Sequence, residues 1–153
     1  MGYAFLVAAP ERALLLECGV VDVRASTTAA ERLLAISKAL DVLIRRHRPF
    51  VLAVERLYFN ENVQTAMRVS EARGIALLCG ARAALEIAEY TPQEVKMSVT
   101  GNGRADKKAV QRMLPLLVAL AAPITQDNVA DAVAIALTHA QRARFADAVA
   151  AAT

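Results

Sequence analysis

A continuous apolar run, Phe50–Val54, is the feature that most restricts the folds open to this chain. The run has the length of one β-strand, and an unbroken apolar strand needs cover on both faces, as in a parallel or mixed sheet. Glu55 ends the run. Because open α/β sheets place their functional sites at the carboxyl ends of such strands, Glu55 is a candidate site residue. The ordinary alternative is a strand-end glutamate that faces water.

The segments on either side of this strand alternate between strand-like and helix-like patterns. Capping boxes, Thr28 with Glu31 and Thr91 with Glu94, predict the starts of two helices. The predicted elements are a hairpin of Tyr3–Ala8 and Ala13–Val23, a helix from Thr28 that ends before Pro49, the strand Phe50–Val54, a helix over 62–85, a strand Ile87–Tyr90, and helices from Thr91, over Ala105–Leu120 and over Asn128–Phe145. This order predicts one α/β domain over residues 1–153, with helices on both sides of a mixed sheet.

Composition excludes some classes of protein and leaves others open. With 56% hydrophobic residues the chain can bury a core, which argues against global disorder. No apolar run approaches the roughly 20 residues that span a bilayer, so a cytoplasmic location is expected. Cys18 and Cys79 stand at no metal or redox spacing and are predicted to be buried free thiols. A net charge of +3 permits nucleic-acid binding without requiring it.

Asp131 is the second candidate acid. It follows Asp127 and Asn128 and precedes an apolar stretch that predicts a buried helix. An acid in the first turn of a helix is stabilised by the helix dipole, and this ordinary role alone explains either Asp127 or Asp131. The functional interpretation is that a helix acid faces the edge of the sheet, where with a strand-end acid it could bind a divalent cation.

Two adjacent aromatic residues, Tyr58 and Phe59, lie in an apparent loop three residues past Glu55 and close to Asn62. The chain has only 5% aromatic residues, so the placement of this pair is informative. Either both side chains fill the core, or they stack on unpaired bases or wedge between base steps.

A glycine-rich and basic segment covers Gly101 to Lys108. Glycines let backbone amides approach an anion, and Arg104, Lys107 and Lys108 supply positive charge. The ordinary alternative is a helix-breaking loop before a solvated basic helix. A single Gly-x-Gly is weak evidence for either interpretation.

Three long segments together resemble the RuvC family of Holliday-junction resolvases, within the RNase H-like superfamily. They are AVERLYFNENVQTAM, YTPQEVKMSVTGNGRADKKAVQRML and ADAVAIALTHA, and they occur in the family's order. The resemblance extends from about Gly2 to about His139. It implies an RNase H-like fold and a homodimer that binds four-way DNA junctions and nicks two opposing strands. It also implies that the cofactor is Mg²⁺ or Mn²⁺, with two ions per active site. The RuvA–RuvB branch-migration complex is the partner that the resemblance implies.

The resemblance also assigns roles to individual residues. Glu55 matches the family's strand-end metal ligand, and Asp131 matches the last aspartate of its C-terminal helix. Lys96 and Lys107 match basic residues near the scissile phosphate, and the helix around residues 62–85 matches the dimer-forming element. The predicted DNA-contacting residues are Tyr58, Phe59, Asn62, Lys96, Arg104, Lys107 and Lys108.

The chain departs from the family pattern in two places. Relatives open with a strand that ends in an Asp-Pro-Gly motif, whereas Met1-Gly2-Tyr3-Ala4 aligns with a later segment, so the first strand and its aspartate are expected to be missing. Relatives also usually carry Asp or His three residues before the last aspartate, where this chain has Asn128, an amide that can ligate a cation but adds no charge. Asp127 is adjacent, and we expect helical geometry to point it elsewhere. Weak metal affinity follows from this reduced acidic set.

Three interpretations remain open at this point. The chain is a truncated or mis-started form of an active resolvase, a degenerate homologue that binds branched DNA without cutting it, or a module with an unrelated interaction role.

Overall fold

The computed structural model describes residues 1–9, 11–23, 28–56, 63–120 and 123–151. The helices and strands in chain order are β1 (Gly2–Val7), β2 (Ala13–Val20), α1 (Ala29–His47), β3 (Val51–Glu55), α2 (Val63–Arg82), β4 (Glu86–Tyr90), α3 (Pro92–Thr100), α4 (Lys107–Leu117), β5 (Val118–Ala119) and α5 (Asp127–Ala151). The α/β class and the alternation of strands and helices are confirmed. No helix in the described ranges is long and apolar enough to cross a membrane.

The strands form a three-stranded sheet in the order β1-β2-β5 and a two-stranded sheet of β3 and β4. The predicted hairpin is present: β1 and β2 are antiparallel, from Gly2 opposite Val20 to Val7 opposite Leu14, with an irregularity after Phe5. Strand β5 is parallel to β2. The first sheet is therefore mixed, as predicted.

Strand β5 corrects the sequence prediction of one helix over Ala105–Leu120. Helix α4 ends at Leu117, and the chain turns into extended backbone at Val118, which is fully buried and lies opposite Ala13. The guanidinium of Arg12 donates hydrogen bonds to the backbone oxygens of Val118, at 2.9 Å, and Pro115. Long-range pairing and burial therefore end the helix three residues before the predicted position.

Both predicted capping boxes are present and set where their helices begin. The hydroxyl of Thr28 accepts a hydrogen bond from the backbone N–H of Glu31, whose carboxylate accepts one from the backbone N–H of Thr28. Thr91 and Glu94 repeat this arrangement at the start of α3. The buried residues of α1 are Ile36, Leu40 and Leu43, whose spacing of three and four positions places them on one face of the helix.

The described chain divides into two compact units. One contains Met1 and Val21–Glu89, and the other contains Gly2–Val20 and Tyr90–Thr153. In the first unit α1 packs on α2, and the thiol of Cys79 is buried 3.5 Å from the hydroxyl oxygen of Ser37. Cys18, in the second unit, is only half-buried, so the prediction of a buried thiol is correct for Cys79 and wrong for Cys18. The assignment of residues 1–153 to a single domain stays a prediction.

Strand β1 packs directly on the first turns of α5 in the second unit. The inner face of α5 is formed by Val129, Ala130, Val133, Ala134 and Leu137, all buried. Gly2 makes this approach possible, since a Cβ atom at this position would lie 1.9 Å from the backbone oxygen of Asn128. The beginning of α5, which carries the candidate acid Asp131, is thus held by backbone contact with β1.

Candidate functional site

Glu55 is the last residue of β3 and is exposed, directly after the buried Val54. Its backbone oxygen accepts a hydrogen bond from Nε of Arg73 at 3.0 Å. Arg73 also pairs with Glu89 on β4 at 2.5 Å. The predicted strand and its acidic end are therefore present, and the backbone of that end is fixed by a residue of α2.

Asp131 lies exposed in the second turn of α5, beside a lysine from α4. Nζ of Lys107 is 3.4 Å from Oδ2 of Asp131 and 3.3 Å from Oδ2 of Asp127. Gln111, one turn further along α4, donates a hydrogen bond to Oδ1 of Asp127 at 2.9 Å. Two acids of α5 thus share one ammonium group, and one of them also has an amide donor.

Charge and hydrogen bonding change the protonation behaviour of this cluster. Burial is the largest influence on Lys107 and lowers its pKa, but the hydrogen bonds and negative charges of Asp127 and Asp131 together outweigh it. The pKa of Lys107 consequently lies above its usual value. The hydrogen bond from Gln111, followed by that from Lys107, holds the pKa of Asp127 below its usual value. Both pKa shifts favour the charged forms, an ammonium ion on Lys107 and a carboxylate on Asp127.

The expectation that Asp127 points in a different direction from the adjacent Asn128 stays a prediction, and the contacts of Lys107 add that Asp127 lies on the same face of α5 as Asp131. Residues four positions apart in a helix lie on the same face, and Lys107 contacts both carboxylates. The four-residue spacing of Asp127 and Asp131 is present in the sequence, but the predicted helix begins at Asn128 and does not include Asp127. Gln111 was not predicted at all, because its contact with Asp127 depends on how α4 packs against α5.

Asn128 lies in the first turn of α5 and is exposed. Its backbone oxygen faces Gly2, as described above. Within the described ranges, no three His, Cys, Asp or Glu side chains cluster as a preassembled metal site. Asp127, Asp131 and the amide of Asn128 nevertheless offer oxygen ligands of the kind that Mg²⁺ and Mn²⁺ prefer, so the donor chemistry of this turn fits a hard divalent cation.

The other predicted basic residues are distributed over α3, the following loop and α4. Lys96 is half-buried on α3, whereas Arg104 and Lys108 are exposed. Helix α3 ends at Gly101, whose φ of 73° lies in the left-handed region that glycine adopts without strain. The side-chain oxygen of Asn102 then accepts a hydrogen bond from the backbone N–H of Arg104 at 2.9 Å.

Helix α4 begins directly after this loop. Asp106 caps it by accepting a hydrogen bond from the backbone N–H of Ala109. Three cationic residues therefore lie at this junction. Arg104 is in the loop, and Lys107 and Lys108 are in the first turn of α4. The predicted contacts of Tyr58, Phe59 and Asn62 lie outside the described residues.

Comparison with known proteins identifies the family. A family model described as crossover junction endodeoxyribonuclease RuvC matches residues 1–139. The RuvC of Pelotomaculum thermopropionicum is 43% identical over 139 residues, 91% of this chain and 85% of the relative. The RuvC of Alkaliphilus oremlandii is 40% identical over 147 residues, 96% of this chain and 90% of the relative.

Solved structures agree with these sequence matches. The structure of Thermus thermophilus RuvC superposes with a TM-score of 0.86 at 31% identity and covers 95% of this chain and 89% of the other. The structure of T. thermophilus RuvC in complex with a Holliday junction substrate gives a TM-score of 0.84 at 30% identity and covers 95% and 96% of the two chains. The similarity therefore covers nearly the whole chain in both sequence and fold.

Proposed function

The chain belongs to the RuvC family of crossover junction endodeoxyribonucleases, and from that premise we propose that it binds four-way DNA junctions and nicks them in a metal-dependent reaction. The observation that carries this proposal is the match to the family over residues 1–139, together with the likeness to a relative solved with a Holliday junction substrate. Because the proposed substrate is recombining DNA, the proposed location is the cytoplasm.

The proposed metal ligands are Glu55 and Asp131, with Asn128 as a neutral oxygen donor. The proposed ions are Mg²⁺ or Mn²⁺, two per active site, which when bound activate water and stabilise the leaving oxygen of an in-line displacement. Two observations support the assignment of the acids: both are exposed, and each directly follows a buried residue, Val54 before Glu55 and Ala130 before Asp131. Carboxylates and an amide are also the ligand types that these ions select.

The proposed DNA contacts use the basic residues of α3 and α4. Lys96 and Lys107 would neutralise charge near the scissile phosphate, while Arg104 and Lys108 would contact the backbone nearby. Three of these four side chains, Arg104, Lys107 and Lys108, are exposed, which supports the assignment. Phosphate contacts of this kind predict that the affinity for DNA falls strongly as the salt concentration rises. Tyr58, with Phe59 and Asn62 beside it, is proposed from the sequence to stack on an unpaired base at the crossover.

A homodimer is proposed through α2. Met67 and Leu78 are eleven positions apart on this helix, about three turns, so they lie on one side of it. Their exposed fractions are 58% and 51%, and two large apolar side chains exposed on one side of a helix are candidates for an interface. Leu78→Glu is expected to shift the sedimentation coefficient to that of a monomer while the helical circular dichroism is retained. The RuvA–RuvB branch-migration complex is the proposed assembly partner.

Glu55→Gln and Asp131→Asn test the proposed active site. In the presence of Mg²⁺ each variant is expected to lose at least about a hundredfold in the rate of nicking a synthetic four-way junction, since a metal ligand contributes several kcal/mol to the transition state. Gel-shift affinity for the same junction in EDTA should stay within about twofold of wild type. A variant that nicks at the wild-type rate would remove that residue from the active site.

A second function, junction binding without cutting, is favoured by one specific feature. By the family resemblance, Asn128 stands where relatives usually carry Asp or His, and Lys107 neutralises part of the acidic charge on α5. This function predicts a preference for four-way over linear DNA that is unchanged by Mg²⁺, with no nicking by the wild-type chain. Mg²⁺-dependent nicks that Glu55→Gln abolishes would exclude it.

A further inference from the structure

The ammonium group of Lys107 occupies the space between two carboxylates on one face of α5. Its Nζ atom is within 3.4 Å of one oxygen of Asp127 and one of Asp131. A divalent cation that bound Oδ2 of Asp131 would compete with this ammonium group for the same oxygen. In the free protein, the ammonium group of Lys107 is therefore already the counter-ion of these two carboxylates.

We propose that Lys107 is an exchangeable counter-ion of Asp131, which a divalent metal ion displaces, and that the released ammonium then pairs with a DNA phosphate. The inference rests on the metal role proposed for Asp131 above. It adds that the same lysine restrains metal binding in the free protein and contacts DNA once the metal is bound. Lys107 thus has a carboxylate partner in the free protein and a phosphate partner once metal and DNA are bound.

The contact geometry favours exchange over a permanent ion pair. The three side chains are 48%, 64% and 54% exposed, and both N–O distances exceed 3.2 Å, the upper end of ordinary N–H···O hydrogen bonds. Exposed pairs of this kind are weak and screened by salt. A lysine ammonium is also a compact charge on a flexible four-carbon stem, so it can leave one oxygen for another without moving the backbone.

Asp127 keeps the displaced ammonium close to Asp131. Gln111 holds Oδ1 of Asp127 at 2.9 Å, which leaves Oδ2 directed at Lys107. When a metal ion takes Asp131, the lysine retains one carboxylate contact and stays on the same side of α5. A phosphate brought by DNA then offers a second, stronger anionic partner.

The test is a titration of the DNA-free protein with Mn²⁺ in which electron paramagnetic resonance measures the fraction of bound ion. Lys107→Ala is expected to bind Mn²⁺ about ten- to thirtyfold more tightly than wild type, because a unit positive charge about 4 Å from a dication opposes its binding roughly thirtyfold at the dielectric constant of water, and salt screening reduces that factor. Lys107→Arg, which keeps the cation, should stay within about twofold of wild type. Arg112→Ala is the matched control, since it removes the same charge from an exposed position on α4 and should also stay within about twofold.

A direct readout accompanies the titration. The ¹⁵N signal of the Lys107 ammonium should shift on addition of Mg²⁺ as its contact with Asp131 is replaced. Equal or weaker Mn²⁺ affinity of Lys107→Ala relative to Arg112→Ala, or an unmoved Lys107 signal at saturating Mg²⁺, would overturn the counter-ion proposal.

Asp131→Asn separates this inference from the proposed function. If it weakens Mn²⁺ binding while Lys107→Ala fails to tighten it, the metal role of Asp131 stands and the counter-ion role is wrong. If Asp131→Asn leaves Mn²⁺ affinity unchanged, the metal role of Asp131 is wrong and the counter-ion role is overturned with it. The nicking assay with Glu55→Gln then judges the nuclease function independently.

Discussion

Gly2→Ala is predicted to loosen the packing of β1 on the beginning of α5. The added Cβ would lie 1.9 Å from the backbone oxygen of Asn128 and 2.5 Å from its carbonyl carbon, whereas ordinary contact begins at 3.4 Å. Strand and helix must therefore separate by about 1.5 Å, the difference between 1.9 and 3.4 Å, and neither atom belongs to a side chain that can rotate away. Overpacking of this kind costs about 1–3 kcal/mol, and a backbone-to-backbone overlap belongs at the upper end.

Thermal unfolding monitored by circular dichroism measures this cost. For a chain of this size, about 3 kcal/mol corresponds to a decrease in Tm of roughly 6–12 °C. Gly103→Ala is the matched control, because its Cβ would lie 2.8 Å from Cγ of Gln93, a flexible side chain that can move, and its effect should stay below about 1 kcal/mol. A Tm for Gly2→Ala equal to that of wild type would refute the described contact between β1 and α5.

Three further changes probe the second unit. Tyr90→Phe removes a hydroxyl that lies 2.8 Å from Nδ1 of His139, and should lower the free energy of unfolding by about 0.5–1.5 kcal/mol in urea titrations; no change would mean that this hydrogen bond contributes nothing. Leu114→Ala truncates a side chain that is 1% exposed and should cost about 2–5 kcal/mol by the same measurement, so a cost below 1 kcal/mol would contradict its burial. The pKa of Glu94 is lowered mainly by the backbone hydrogen bond from Thr91. Its ionised form therefore stabilises the folded state, and this stabilisation is complete above the usual pKa of 4.5. It is lost as the pH falls through the lower pKa that Glu94 has in the folded state. Glu94→Gln should therefore flatten the decline of the urea midpoint below pH 4.5, and parallel profiles would contradict the assignment.

Features that depend on neighbours in sequence were predictable. The starts of α1 and α3 follow from their capping boxes, which need only residues within one turn. The strand that ends at Glu55 follows from its unbroken apolar run. In each case the interactions that set the boundary lie within a few residues of it.

Features set by long-range contacts were not predictable from the pattern. Strand β5 consists of two residues, and it exists because Val118 pairs with Ala13 and is held by Arg12, more than 100 positions away in sequence. No local pattern separates Val118 from the end of a helix. Long-range pairing therefore overrides helical periodicity at this position.

The cluster of Asp127, Asp131 and Lys107 depends partly on spacing along the sequence and partly on long-range packing. The spacing of Asp127 and Asp131 already placed them on one helix face, but the approach of Lys107 depends on the packing of α4 against α5. The sequence-based expectation of weak metal affinity rested on the aspartate expected to be missing with the first strand and on the neutral Asn128. The bridging ammonium of Lys107 supplies a further physical cause for the same expectation.

The most direct test of the nuclease assignment maps the cuts that the wild-type chain makes in a synthetic four-way junction with a mobile core. The account predicts paired nicks at symmetric positions in two opposing strands, present with Mg²⁺ or Mn²⁺, absent in EDTA, and absent from linear duplex of the same sequence. Failure to cut the junction with either ion, or cutting of linear duplex at the same rate, would contradict it.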